Sequence, residues 1–248
     1  MNQDDLVKQI PENSLAISEI FYSIQGEGRY SGTPMIFIRT NICFVGCKFC
    51  DTKYTWENVT HNKFYASASL IRKIEELSDR CKHVCITGGE PLEQVQYLLP
   101  ICKDLQANGL KIHLETSGYK EISKEFADVC HWIVCSPKRF HPLNFFAPIQ
   151  EVKILVTKNA DVKKIRNWVG KFKNKVWISI QPIEPTPLLE GNPEGLDENQ
   201  LAEFYARIRA NRIVEAVEWE LNKNKAIEIC KQTGWNLSFQ LHKYLGVR

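Results

Sequence analysis

Met35-Ile36-Phe37-Ile38-Arg39-Thr40-Asn41-Ile42-Cys43-Phe44-Val45-Gly46-Cys47-Lys48-Phe49-Cys50 is the stretch on which the reading of the chain turns. Its opening, Met35–Thr40, is rich in β-branched and aromatic residues and reads as a strand. Three cysteines follow at CxxxCxxC spacing. Thiolates are the usual ligands of iron–sulfur clusters, and a compact loop can direct three of them at three irons of one cubane, leaving the fourth iron open to an outside ligand. Two plainer readings fit the same residues: packing, or half of a structural zinc site. A zinc site needs a fourth close ligand, and the nearest histidine, His61, lies beyond a Trp- and charge-containing segment.

Outward from this loop, β-rich apolar runs alternate with runs of helical period, the signature of an α/β chain with a parallel sheet. Strands are expected at Ser18–Tyr22, Met35–Thr40, His83–Thr87, Lys111–Glu115, His131–Cys135, Glu151–Val156, Val176–Ile180 and Asn236–Gln240. Helices are expected at Ser67–Ser78, Val95–Ala107, Ser123–Asp128, Asp161–Val169, Asp197–Ala210 and Asn224–Gln232, with Ser123, Asp161 and Asp197 as N-caps. Repeated βα units at this length suggest a partial, open barrel like the triosephosphate isomerase fold, with ligands gathering where strands end. Gln181–Asn199, with four prolines and two glycines, reads as a long loop. No domain boundary stands out, so residues 1–248 are taken as one domain.

Composition narrows the class. The chain has 248 residues, 44% hydrophobic and 25% charged, as an ordinary globular protein does. Its formal charge of +3 is scattered, which gives no sign of direct nucleic-acid binding. No apolar run is long enough to span a bilayer, and Met1–Asp5 lacks the features of a signal peptide, so a cytoplasmic protein without membrane partners is expected. Nine cysteines, an odd number in a chain of this size, point to reduced thiols. Cys81, Cys85, Cys102, Cys130, Cys135 and Cys230 sit mostly at apolar positions and read as core residues.

Other strand ends carry polar residues. His83–Thr87 runs into Thr87-Gly88-Gly89-Glu90-Pro91, whose glycines permit positive φ or a close approach of backbone to a ligand; alone it is only a turn. Glu115-Thr116-Ser117-Gly118, Cys135-Ser136-Pro137-Lys138 and Ile180-Gln181-Pro182 each could be mere capping.

Taken together, CxxxCxxC with Phe49 before its last cysteine, followed one strand–helix unit later by Gly88-Gly89-Glu90, resembles the radical S-adenosylmethionine superfamily. Within it, Ser18–Gly28 (SEIFYSIQGEG), Asp51–Trp56, Ser136-Pro137-Lys138 and the closing Trp235–Arg248 resemble the 7-carboxy-7-deazaguanine synthase family over nearly the whole chain. The resemblance implies a [4Fe–4S] cluster on Cys43, Cys47 and Cys50, and S-adenosylmethionine held by Phe49, Cys50, Asp51, Gly89, Glu90, Ser136, Pro137, Lys138 and Gln181-Pro182-Ile183-Glu184. It implies ring contraction of 6-carboxy-5,6,7,8-tetrahydropterin, with Ile24, Gln25, Gly26, Arg39, Thr87, His242 and Arg248 at the substrate and Arg39, Glu27 and Glu115 as catalytic groups. It also implies magnesium at Thr52, a flavodoxin- or ferredoxin-type electron donor and a homodimer whose C-terminal tail closes the site. Arg39 ends an apolar strand, where a cation needs an anionic partner. That partner is the substrate carboxylate, gripped bidentately, or internally Glu27 or Glu90. The alternatives are an activase that makes a glycyl radical on another protein, or a zinc or redox-thiol module.

Overall fold

Strand alternation dictates which groups meet in this protein. The computed structural model describes residues 3–57, 63–138, 149–172, 175–185 and 197–247. Along the chain come α1 (Gln3–Gln9), β1 (Ser14–Ile24), β2 (Pro34–Thr40), β3 (Lys63–Ala66), α2 (Ser67–Leu77), β4 (His83–Gly88), α3 (Val95–Ala107) and β5 (Lys111–Thr116). Then follow α4 (Lys124–Val129), β6 (Trp132–Cys135), β7 (Glu151–Val156), α5 (Val162–Val169), β8 (Trp177–Pro182), α6 (Glu198–Thr233), β9 (Asn236–Leu237) and α7 (Leu241–Leu245). The strands form one open sheet ordered β3-β1-β2-β4-β5-β6-β7-β8-β9. β1 is antiparallel to β2 and β3, and the other neighbours run parallel. This is the expected open βα barrel.

Successive side chains of a strand point to opposite faces, so each strand serves two environments. Ile36 and Ile38 of β2, Val84 and Ile86 of β4, Ile112 and Leu114 of β5, Val152 and Ile154 of β7, and Ile178 and Ile180 of β8 belong to the main core. There they meet Leu70 and Ile74 of α2, Leu98, Ile101 and Leu105 of α3, Phe126 of α4, Trp168 of α5 and Ile229 of α6. The intervening residues, Arg39, Thr87, Glu115, Lys153 and Gln181, turn to the other face and line the cleft described below.

The three expected N-caps are in place. Ser123 accepts from Phe126 N at 3.1 Å, Asp161 from Lys164 N at 3.1 Å, and Asp197 forms a capping box with Gln200. Several boundaries differ from the sequence reading. Asp197–Ala210 and Asn224–Gln232 are parts of one helix, α6, which runs without glycine or proline to Gly234 in the left-handed conformation. What the sequence reading left out is the join, residues 211–223; the buried residues of α6, Asn222, Ala226 and Ile229, fall in its last third. The expected strand Asn236–Gln240 is only β9, Asn236–Leu237, because the chain turns into α7 at Leu241. Gln181 and Pro182, read as loop, end β8, and the helix starts within the expected loop at Glu198; residues 186–196 of that loop lie outside the described residues. β1 is longer than expected, and α1 and β3 were not anticipated.

Phe126 is among the largest fully buried side chains, so Phe126→Ala should cost about 3–5 kcal/mol in chemical unfolding. Tyr119→Ala, at a position 61% exposed, should stay within about 0.5 kcal/mol. Equal losses would contradict the placement of α4 in the core.

Candidate active site

At the end of β2 the chain leaves the sheet through Ile42, whose φ of +73° is an uncommon conformation for a β-branched residue and costs about 1–3 kcal/mol. Hydrogen bonds on both sides hold it: Ile42 N donates to Thr55 O at 3.0 Å and Ile42 O accepts from Glu90 N at 2.8 Å. Gly89 N donates to Thr40 O at 2.8 Å, and a Cβ on Gly89 would overlap Ile42 O. The Gly-Gly-Glu turn is therefore seated against the root of the cysteine loop, and Gly89 has to be glycine for that approach.

Cys43, Cys47 and Cys50 form no disulfide, are half-buried, and all line a cleft of about 1270 Å³. Trp56 Nε1 donates to Cys50 Sγ at 3.5 Å, and Thr52 Oγ1 lies 3.5 Å from the same sulfur. Burial, with the nearby Glu90 and Cys47, pushes the Cys43 thiol up to about 11. A thiolate there needs a cationic centre to stabilise it, which a metal cluster supplies. Among the described residues no three His, Cys, Asp or Glu side chains converge where a single ion would sit. Cluster ligands need not converge in that way, since each thiolate binds a different iron. The donor set fits a cluster.

Glu90 is buried and spent on protein contacts. Its carboxylate accepts from Leu92 N at 3.2 Å, Thr116 Oγ1 at 2.6 Å, Ser117 N at 2.7 Å and Ser117 Oγ at 2.5 Å. It thereby ties the end of β4 to the end of β5, with its backbone N–H tied to the cysteine loop. Ser136, also buried, accepts from Lys138 Nζ at 3.0 Å beside Pro137. Phe49 and Glu184 stand exposed at the cleft, and the half-buried Ile183 beyond β8 lines it too.

The inner face converges on Lys153, a residue the sequence reading missed. Its ammonium, buried, pairs with Glu27 and lies 3.7 Å from Glu115 Oε2. Glu115 also accepts from Gln25 Nε2 at 3.1 Å and Thr87 Oγ1 at 3.2 Å, and Glu27 from Gln181 Nε2 at 3.1 Å. Ser238 joins through Gln181 Oε1 at 2.9 Å and through Gly28 N at 2.9 Å. Burial alone would raise the pKa of Glu27, but the Lys153 ammonium and hydrogen bonds from Lys153 and Gln240 outweigh it and hold the carboxyl down to about 2. Burial likewise works against the Lys153 ammonium, and Glu115, Glu27 and Glu151 overcome it, raising the pKa of Lys153.

Arg39 pairs with neither Glu27 nor Glu90, the internal partners expected. Its Nε is 2.8 Å from Glu19 Oε1, the residue directly across the β1–β2 ladder, and its Cζ stands 5.5 Å over the Phe21 ring. The backbone of Gln25 is engaged by Thr33 O at 2.8 Å and Gly32 N at 2.8 Å, and Gly26 O accepts from Leu241 N at 3.0 Å. Gly26 lies so close under His242 that a Cβ would overlap the imidazole. The tail is anchored further by Gln240 Nε2 to Asp51 Oδ2 at 3.0 Å, and by Lys243, which pairs with Glu184 and lies 3.6 Å from Asp51. Asp51 and Glu184 thus hold the tail over the cleft. Arg248 and His61 lie outside the described residues.

The folded Glu27 carboxyl sits below its ordinary 4.5, so its contribution to stability is present above that pH and is lost as pH falls toward about 2. Lys153 is raised above 10.5, so its contribution is present below that pH and lost only as pH climbs beyond it. Urea unfolding at about pH 6 and about pH 3 should show a smaller loss in Glu27→Gln than in wild type. Lys153→Met, which strands two carboxylates, should cost about 3–5 kcal/mol at neutral pH. Equal acid sensitivity and a neutral Lys153→Met would contradict the network.

Comparison with known proteins places this geometry. The Radical SAM superfamily matches residues 37–176. The 7-carboxy-7-deazaguanine synthase of Buchnera aphidicola subsp. Schizaphis graminum is 33% identical over 94% of this chain and 98% of its own length. Its namesake from Escherichia coli strain K12 is 30% identical over 93% and 98%. The crystal structure of QueE from Escherichia coli superposes with a TM-score of 0.65 at 26% identity, covering 94% of this chain and 99% of that one. By sequence and by fold, this chain belongs to the 7-carboxy-7-deazaguanine synthase family of the radical SAM superfamily.

Proposed function

We propose that this chain converts 6-carboxy-5,6,7,8-tetrahydropterin to 7-carboxy-7-deazaguanine and ammonia, a lyase step toward deazapurines such as the queuosine of transfer RNA. The observation that carries the reading is the cleft itself, which joins the cysteine loop, the Gly88–Glu90 turn and the charged inner face of the sheet in one space. The activase and thiol-module alternatives are not favoured, since the relatives are synthases over nearly their whole length.

Cys43, Cys47 and Cys50 would hold the [4Fe–4S] cluster. Bound there with S-adenosylmethionine, it supplies the one-electron chemistry that generates the hydrogen-abstracting radical. The protein's own groups bind and orient. Gly89, Ser136, Lys138, Gln181, Pro182 and Ile183 border the cofactor's share of the cleft, where Pro137 would set the Ser136–Lys138 turn and Phe49 would pack beside the adenine; Glu90 acts by fixing the turn. Arg39, already beside Glu19, turns its guanidinium to the substrate carboxylate, which it can grip with two parallel N–H donors. Glu27 and Glu115, both facing the Lys153 ammonium, offer acceptors to the N–H-rich edge of the pterin, and Ile24, Gln25, Gly26 and Thr87 complete that wall. His242 covers the substrate. The hydroxyl of Thr52 would bind magnesium, a hard ion that keeps water and substrate oxygens as its other ligands. We further read the protein as a single-domain cytoplasmic homodimer served by a flavodoxin- or ferredoxin-type donor; no helix among the described residues is long and apolar enough to cross a membrane.

Cys50→Ala should abolish reductive cleavage of S-adenosylmethionine, whereas Cys102→Ala, in the core, should keep it with the fold checked by circular dichroism. Comparable loss in both would remove the cluster loop from the mechanism. Arg39→Lys keeps the charge and loses the fork, so transition-state binding of the pterin should weaken by about 1.5–3 kcal/mol while S-adenosylmethionine binding holds. Unchanged kcat/KM for the pterin would contradict the carboxylate role.

A further inference from the structure

A second cavity adjoins the Lys153 network. It is about 10 Å³, enough for one water, and Glu27, Glu115, Glu151, Lys153, Tyr30 and His113 stand among its walls. Glu27, Glu115 and Lys153 line the main cleft as well. On its other side lies a histidine cluster at the starts of β4, β5 and β6, away from the strand ends that carry the cysteine loop and the Gly-Gly-Glu turn. His113 is buried, with its Nε2 2.8 Å from Nδ1 of the partly exposed His83. Exposed His131 shares a hydrogen bond with the Tyr30 hydroxyl at 3.0 Å. Ring centroids of the three imidazoles lie 5.0, 5.4 and 6.1 Å apart. Titratable groups thus run from the cleft to the surface at the opposite end of the strands, with this cavity between Lys153 and His113.

We propose that His113 and His83, joined to the Glu27–Lys153–Glu115 network by a water in this cavity, relay protons between the cleft and solvent at the starts of the strands. The inference rests on the function proposed above in one respect, that the chemistry moves protons. The departing nitrogen must gain hydrogen to leave as ammonia, and the contracted ring must lose a carbon-bound hydrogen to become aromatic. Outward, the network gives a proton to the cavity water, which passes one to His113 Nδ1. His113 Nε2 gives its proton to His83 Nδ1, and His83 Nε2 releases one to solvent. One proton enters and one leaves, so both rings end neutral with their tautomers exchanged. The inward transfer runs in reverse and restores them. Such a relay needs a ring with one N–H and one lone pair. Burial, with His83, His131 and Lys111 nearby, keeps His113 in that neutral form by holding its pKa down to about 3; burial and Lys111 lower His83 and His131 as well.

The test uses the reconstituted holoenzyme. In His113→Ala, kcat for the pterin should fall roughly 100-fold, with KM and the binding of S-adenosylmethionine unchanged, and added imidazole should restore most of the loss. His83→Ala should show a smaller loss, restored in the same way. In ¹⁵N-histidine-labelled wild type, the His113 ring N–H should exchange with water faster than turnover. An unchanged kcat, a loss that imidazole leaves in place, or a ring N–H protected on the turnover timescale would overturn the relay. Wild type that makes no deazapurine would instead overturn the proposed function, and the ring exchange would still decide the relay.

Discussion

A lysine ammonium buried between two carboxylates is the interaction on which the cleft depends. Desolvating such a charge is costly by several kcal/mol unless counter-charges and hydrogen bonds surround it. Lys153 on β7 therefore requires Glu27, from the loop between β1 and β2, and Glu115 on β5. Those two bring Gln25, Thr87 and Gln181 with them as donors, and Gln181 brings Ser238 from beyond β9. One charge thus links the first hairpin, the middle of the sheet and the tail into a polar floor for the cleft.

The sheet can carry that floor because its other face is dry. Period-two alternation sends Val152 and Ile154 of β7 into the helix-covered core while Glu151 and Lys153 turn away from it. At the rim, Ile42 holds a left-handed conformation between bonds to Thr55 and Glu90. That arrangement sets the cysteine loop beside the Gly-Gly-Glu turn, while His242 and Lys243 close from above.

Local features were legible in the sequence. Ligand spacing in Cys43–Cys50, the glycines of the turn, the caps at Ser123, Asp161 and Asp197 and the apolar runs of the parallel strands all act within a few residues. What depended on register was harder to read. Lys153 and Glu27 are 126 residues apart, and Glu151–Val156 alone reads as a strand with two polar positions. Glu19 was within reach as the partner of Arg39, since an antiparallel β1–β2 pairing sets them opposite each other. The continuity of α6 had a signal too, the lack of any glycine or proline from Glu198 to Thr233. The histidines had a fainter one: His83, His113 and His131 each fall at or near the start of a successive strand.

The central claim is that the charged floor and the cysteine loop act together on a carboxylated pterin. It is tested most directly by incubating anaerobically reconstituted protein with 6-carboxy-5,6,7,8-tetrahydropterin, S-adenosylmethionine and a reductant, then following the products by mass spectrometry. The account predicts 7-carboxy-7-deazaguanine and ammonia in equal amounts, with S-adenosylmethionine regenerated through repeated turnovers. Accumulation of 5′-deoxyadenosine without any deazapurine, or stoichiometric zinc with no cleavage at all, would contradict it.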